Sequence, residues 1–311
     1  MEDYKIKESR IKGLVTIIVP THNRGNLISP TIKSILEQTY TKIEVIVVDD
    51  HSTDNTEENI LEFVQQNNHI HYFKSERYGA CAARNLGLSK SNGEFIQFFD
   101  DDDIMLPNHI EKKLIKLIES KSDFVTCNFK YFKNSTQNIV GFRRIDNFTH
   151  NCQLQIINSG FPAPSFLCRI EVFKTIGFWN EKTKCLQDLA LFHRLFKYNI
   201  KGLWLEDFLF LVRIHSNTIT NSNRNSKSGY SERIKSLEYV REEWGHNKMT
   251  SLSITIKQIS ICLSAFNSKH DVVLFGMLLK TILKHPLDLV RLLQYSLKFK
   301  TFKLPYEKIF Y

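Results

Sequence analysis

The chain has 311 residues, 42% hydrophobic and 12% aromatic, enough for one large domain with a buried core or a domain plus an appendage. Forty-two basic residues against 33 acidic ones give a formal net charge of +9, which favours anionic partners: nucleic acid, an anionic membrane or a phosphorylated substrate. Six scattered cysteines without a CxxC pair argue against a disulfide scaffold or zinc framework and read as reduced core thiols of an intracellular protein. Residues 1–12 are charged and lack the apolar stretch of a secretory signal, and no run reaches the roughly 18 to 20 apolar residues of a membrane span, so a cytoplasmic location is expected.

In chain order, residues 14–19 are a β-branched run bounded by Gly13 and Pro20, the pattern of a buried strand. Residues 27–38 place Leu27, Ile28, Ile32, Ile35 and Leu36 at helical spacing. A second strand over 43–48 ends in Asp49-Asp50-His51-Ser52, and a helix over 53–66 presents Ile60, Leu61 and Val64. A strand over 70–73, a helix over 80–89, a strand over 95–99, a helix containing 110–118 and a strand over 124–128 complete the series. Such alternation predicts an α/β fold with a mostly parallel sheet covered on both faces. Ligands then bind beyond the carboxyl ends of the strands, where this chain delivers Pro20-Thr21-His22-Asn23, Asp49-Asp50 and Asp100-Asp101-Asp102-Asp103.

Four adjacent carboxylates repel one another and need a cation or solvent to neutralise them. Taken alone, the run is a solvated acidic loop or a site for a hard divalent ion that takes oxygen ligands and substrate phosphates. Neither GxGxxG nor GxxxxGK[ST] follows the first strand, which argues against a dinucleotide or P-loop site, and no nucleic-acid reading motif accompanies the positive charge.

The motifs together resemble the family-2 nucleotide-sugar glycosyltransferases of the GT-A fold, over residues 14–220. They are Val15-Thr16-Ile17-Ile18-Val19-Pro20-Thr21-His22-Asn23-Arg24, Ser34-Ile35-Leu36-Glu37-Gln38, Val47-Val48-Asp49-Asp50-His51-Ser52-Thr53-Asp54 and Gly79-Ala80-Cys81-Ala82-Ala83-Arg84-Asn85-Leu86-Gly87. Phe98-Phe99-Asp100-Asp101-Asp102-Asp103, Ile176-Gly177-Phe178-Trp179-Asn180-Glu181 and Gln187-Asp188-Leu189-Ala190-Leu191 follow in the family's order. The resemblance implies a Rossmann-like mixed, mostly parallel sheet flanked by helices in residues 1–220, with a C-terminal helical extension over 221–311. It also implies an inverting transferase moving one sugar from a nucleoside-diphosphate sugar, UDP-sugar favoured, to a glycan or lipid-linked acceptor in cell-surface polysaccharide synthesis.

By the same resemblance, Pro20, His22, Asp50, Arg84 and Asp101 bind the donor. Asp100 and Asp102 match the DxD motif and hold Mn²⁺ or Mg²⁺, with Asp102 the direct ligand and His215 a further contact to metal or diphosphate; a plain surface histidine is the alternative for His215. Asp188 is the general base that deprotonates the acceptor hydroxyl, and partial burial is expected to raise its pKa. Gln187 stands where the family usually has Glu. The QxxRW signature of processive synthases is absent, which favours addition of a single sugar. A nucleotidyltransferase lacks its Gly-rich loop here; a catalytically inactive donor-binding or membrane-docking subunit is the non-enzymatic alternative.

After residue 220 a polar stretch over 221–229 reads as a linker. Helices are expected over 232–244, 254–266, 272–283 and 287–297. Lys280, Lys284, Arg291, Lys298, Lys300 and Lys303 alternate with Leu, Phe and Tyr, either resting on an anionic membrane or simply solvated on a helical bundle.

Overall fold

Strand and helix alternate through the first third of the chain as the apolar runs predict: β1 (Ile11–Thr21), α1 (Ile28–Leu36), β2 (Ile43–Asp49), α2 (Thr56–Gln66), β3 (Ile70–Lys74), α3 (Ala80–Lys90) and β4 (Gly93–Phe98). The computed structural model describes residues 4–145, 161–215, 227–244, 254–259, 261 and 283. Further along come β5 (Ile104–Met105), α4 (His109–Glu119), β6 (Phe124–Lys133), β7 (Ser135–Arg143), a 3₁₀ turn (Ala163–Ser165), β8 (Leu167–Arg169), α5 (Glu171–Ile176), α6 (Gln187–Lys197), β9 (Gly202–Arg213) and α7 (Lys227–Trp244). The described strands form one mixed sheet in the order β3-β2-β1-β4-β8-β6-β9-β5, with β7 paired to β6. β3, β2, β1 and β4 run parallel, β8 lies antiparallel between β4 and β6, and β6 and β9 are again parallel. This is the α/β architecture expected from the alternation.

The central strands are apolar because both their faces are covered. Every residue of β2 is buried, and α1 packs Ile28, Ile32 and Ile35 into the same core as Val15, Ile17, Val45 and Val47. Glu44 and Asp49 are the polar exceptions within β2; Glu44 is held by Thr16 Oγ1 at 2.6 Å and by the backbone N–H of Asn92 at 2.9 Å. On α4 the buried face His109-Ile110-Lys113-Leu114-Leu117 includes a lysine, which the helical spacing did not lead us to expect inside. Its ammonium donates to Gln97 Oε1 (3.0 Å), His109 Nε2 (2.8 Å) and the Pro164 carbonyl (3.1 Å), so all three of its protons find acceptors. His109 Nδ1 lies 2.9 Å from the Leu209 carbonyl, which can only accept, so the proton sits there and Nε2 is free to receive Lys113. Burial lowers the Lys113 pKa to about 8 and, with the Lys113 charge, holds His109 well below the ordinary histidine value.

Contacts divide the chain into two units: Met1–Thr149, Phe161–Glu181 and Arg194–His215 in the first, His150–Gly160, Lys182–His193 and Ser216–Tyr311 in the second. In the second, Leu189, Ala190, Tyr230, Leu237, Val240, Ile254 and Ile261 form a core. Arg241 Nη2 donates to Thr255 Oγ1 (2.9 Å) and Gln258 Oε1 (3.0 Å) there. The helical reading after residue 220 therefore holds for α7 and for 254–259, but residues 227–229, expected as the end of the linker, open α7 instead; residues 221–226, 260, 262–266, the expected helices over 272–283 (Leu283 apart) and 287–297 and the basic tail lie outside the described residues. Cys81, Cys127 and Cys168 are buried free thiols and Cys185 is a half-buried one, whereas Cys152 and Cys262 lie outside the described residues.

Candidate active site

Strand order runs outward from β1 in both directions, to β2 and β3 on one side and to β4 on the other. The crevice at the carboxyl ends of β1 and β4 is therefore the topological switch point of this sheet, where α/β folds bind ligands. Two polar loops meet there. Residues 21–25 leave β1, and Phe99 N–H bonds the Ile18 carbonyl at 2.9 Å before the chain enters Asp100–Asp103.

Three arginines and a histidine surround the four carboxylates. Arg24 Nε lies 3.3 Å from Asp101 Oδ1 and its Nη2 3.7 Å from Asp102 Oδ2. Arg84 Nη2 lies 3.3 Å from Asp100 Oδ1, while its guanidinium covers the Trp179 ring at 4.7 Å. Arg213 donates its backbone N–H to Asp103 Oδ1 (3.0 Å) and its Nε–H to the Asp102 carbonyl (2.9 Å). His215 Nε2 stands 2.9 Å from Asp102 Oδ2. Thr31 Oγ1 contacts the Asp101 and Asp103 carbonyls at 3.0 and 2.8 Å, anchoring the turn to α1.

Electrostatic stress remains despite these partners. Burial pushes the Asp101 carboxyl up to about 7, with the Asp102 charge adding and Arg24 opposing. Asp103, fully sheltered, is pushed well above the carboxylate range by burial and then by Asp102 and Asp100. Asp100 also moves upward through desolvation, with Arg84 opposing; its side chain is 39% exposed, so water keeps that shift in check.

The β2 end supplies two carboxylates with different tasks. Asp49 points inward, accepting from Ser52 N–H and Tyr72 OH at 2.9 Å each, and is structural. Asp50 accepts the Gly79 N–H on both oxygens at 2.9 Å, and its carbonyl receives His22 Nδ1–H at 2.5 Å. Gly79 has φ +105, open to glycine and strained for other residues, while no atom lies within 4 Å of where a Cβ would stand. Backbone conformation, not space, requires the glycine. Tyr78, 80% exposed, stacks on His51 at 3.8 Å beside Asp50.

Pro20, His22, Asp50, Arg84, Asp100, Asp101, Asp102 and His215 thus lie at or beside the ends of β1, β2, α3, β4 and β9 in one unit. Pro20 is buried and pairs with Val48, whereas His22 is exposed. Asp188 belongs to the second unit, half-buried in the first turn of α6 beside Gln187, whose Nε2 donates to the Thr183 carbonyl at 3.3 Å. The sequence pattern assigned no role to Arg24, which stands inside the first quoted motif, or to Arg213, two residues before His215. Their pairing across 77 and 111 positions has no local signal.

Among the described residues no group of three or more His, Cys, Asp and Glu side chains holds a metal ion by itself. Asp102 Oδ2 and His215 Nε2 offer two donors 2.9 Å apart. One or two protein ligands completed by substrate phosphates is the usual form of a Mg²⁺ or Mn²⁺ phosphate site, so these residues fit such an ion only together with a diphosphate.

The family described as Glycosyl transferase family 2 matches residues 16–177. The chain belongs to the family-2 glycosyltransferases, and it is a glycosyltransferase. It is 32% identical over 220 residues to the glycosyltransferase GlyG of Streptococcus pneumoniae, covering 66% of this chain and 72% of that one. Over 129 residues it is 38% identical to the Escherichia coli UDP-Glc:alpha-D-GlcNAc-diphosphoundecaprenol beta-1,3-glucosyltransferase WfgD, covering 41% of this chain and 49% of that protein. The fold is shared with Staphylococcus aureus TarS in complex with UDP-GlcNAc, at TM-score 0.66 and 19% identity over 86% of this chain and 79% of TarS. It is also shared with the mannosyltransferase PcManGT of Pyrobaculum calidifontis in complex with GDP-Man and Mn²⁺, at TM-score 0.52 and 16% identity over 91% of this chain and 84% of that one. These likenesses establish the GT-A fold. No helix among the described residues is long and apolar enough to cross a membrane.

Proposed function

We propose that the chain transfers one sugar, with inversion, from a UDP-sugar to a hydroxyl of a lipid-linked or glycan acceptor in the synthesis of a capsule, O-antigen or related surface glycan. The observation that carries this reading is the meeting of Asp100–Asp103, Arg24, Arg84, Arg213 and His215 at the switch point of the sheet. Stressed carboxylates interleaved with cations suit a diphosphate and a divalent ion better than either alone. Like TarS, which is known in complex with UDP-GlcNAc, and WfgD, named for UDP-Glc, the chain would take a uridine nucleotide. The same WfgD name supports a diphosphate-lipid acceptor.

In this reading the base and ribose lie against Pro20, His22 and Asp50; Asp50 accepts a base N–H or ribose hydroxyl. Arg84 and Asp101 complete the donor pocket. Asp102 would hold Mn²⁺ or Mg²⁺, with Asp100 and His215 assisting. The bound ion would supply charge stabilisation to the diphosphate as it departs. Asp188 takes the acceptor hydroxyl proton while that oxygen forms its bond to the anomeric carbon and the bond to the diphosphate oxygen breaks. A single displacement of this kind inverts the carbon and needs no covalent nucleophile. Residues 221–311 would form an appended helical region.

Calorimetric titration of UDP, GDP and their sugars, with and without Mn²⁺, tests the donor site. Metal-dependent binding of a uridine nucleotide is expected, and Asp102→Ala should remove the metal dependence. A folded chain that binds none of them would be a non-catalytic subunit.

A further inference from the structure

The β6–β7 hairpin carries a surface that donor chemistry leaves unused. From Phe124 to Ile145 the chain has four basic residues, Lys130, Lys133, Arg143 and Arg144, and no acidic one. β7 pairs only with β6 among the described strands, so it is an edge. On it Ile139, Val140 and Phe142 are 41%, 50% and 59% exposed, and Ile214, whose N–H bonds the Phe132 carbonyl at 2.9 Å, is 39% exposed. Single exposed apolar residues are ordinary, but four gathered at one corner of a sheet mark a contact surface. The aromatic member is braced. Phe142 meets Phe208 edge-on at 5.6 Å, with the Arg144 guanidinium 5.7 Å from its ring and the Lys130 ammonium 5.4 Å from that of Phe208.

Sheet register gives the place of this surface. Phe132 pairs with Ile139 on one side and with Arg213 on the other, and Arg213 holds Asp102 and Asp103. At about 4.8 Å per strand, Ile139 lies about 10 Å from the Arg213 backbone. Ile214 directly precedes His215. The apolar corner is therefore the rim of the carboxylate cluster.

We propose that the β6–β7 hairpin with Ile214 docks on an anionic phospholipid surface. Ile139, Val140 and Phe142 enter the headgroup region, and Lys130, Lys133 and Arg144 meet lipid phosphates. Apolar and aromatic side chains flanked by cations are the composition that binds such an interface, through buried apolar area plus attraction to anionic lipid. A second copy adding its strand to the β7 edge fits less well, since it would bring the basic residues of both hairpins together. This inference deepens the lipid-linked acceptor reading and rests on it for its purpose, because it sets a bilayer-borne acceptor beside the donor site. Vesicle binding is measured without donor, acceptor or turnover, so failure of one reading is separable from failure of the other.

The experiment is co-sedimentation of the full chain with phosphatidylcholine vesicles, with and without phosphatidylglycerol. Binding should require the anionic lipid, weaken as salt rises, and fall about tenfold or more in Val140→Asp with Phe142→Asp. If the aspartates disturb folding by circular dichroism, Val140→Ser with Phe142→Ser replaces them. Phe142→Trp should in addition gain quenching by brominated lipid relative to the unsubstituted chain. Unchanged partition in the folded variants, equal partition to neutral vesicles or no vesicle binding overturns the proposal. Concentration-dependent dimerisation lost in the same variants, with no effect on vesicles, would instead give the edge to a second copy.

Discussion

Gly87→Ala sets two opposing effects against each other, and the structure decides between them. On helix propensity alone the substitution within α3 should stabilise by about 1 kcal/mol. A Cβ at position 87 would, however, stand 2.5 Å from Ile18 Cγ2 and 3.4 Å from both Ile18 Cγ1 and Val48 Cγ2. Ile18 and Val48 are completely buried in adjacent parallel strands, and β-branched side chains have little χ1 freedom with which to yield. Overpacking of this kind costs about 1–3 kcal/mol, and against two unyielding β-branched neighbours its upper range applies, so after the propensity gain a net loss of up to about 2 kcal/mol is expected. The same helix carries Arg84 to Asp100, and Asn85, whose Oδ1 and Nδ2 bond Trp179 N–H and carbonyl at 2.8 and 3.0 Å. Lifting α3 should therefore also weaken nucleotide binding. Urea unfolding gives the stability change as a shift in midpoint at constant slope. The double variant with Ile18→Ala should be less destabilised than the sum of the singles, because the new methyl enters the space that the isoleucine leaves. A Gly87→Ala chain as stable as the original, or additive with Ile18→Ala, refutes the close-packing account.

Asp188→Asn should lower kcat by about two orders of magnitude or more while leaving donor affinity nearly unchanged, as expected for a general base; retained turnover with a defined acceptor would remove Asp188 from that role. Lys113→Met should alter the pH dependence of stability with a definite sign. The folded pKa of Lys113 is depressed to about 8 against an unfolded value near 10.5, so between these the unfolded chain binds more protons and the lysine's unfavourable contribution is relieved as pH rises. Stability of the original chain relative to Lys113→Met should increase by about 2 kcal/mol from about pH 7 to about pH 9.5. The neighbouring Cys127 thiol, raised by burial and pulled back by Lys113, reinforces that sign, because losing the lysine raises it further. A difference that is flat or falls with pH would mean that the ammonium is not buried as described.

The first four strands and their helices are legible in the sequence because each apolar run is long, β-branched and punctuated by Gly, Pro or an acidic pair. The three strand ends that carry Thr21–Arg24, Asp49-Asp50 and Asp100–Asp103 are legible for the same reason, and the order of seven motifs points to the family. Of the later strands only the start of β6, expected over 124–128, is legible. β7 is exposed for most of its length and shows no alternation, β8 and β5 have three and two residues, and β9 acquires its place by pairing with β6 across a shift in register and with the two-residue β5. Nothing local distinguishes Lys113 from a solvated helix lysine until Gln97, His109 and the Pro164 carbonyl close around it. Which carboxylates stand at which strand ends can be read along the chain, because periodicity and punctuation are properties of neighbouring residues. Which cations answer them is fixed by folding, since Arg24, Arg84, Arg213 and His215 reach the cluster from separate elements and their charge is felt through space and not along the chain.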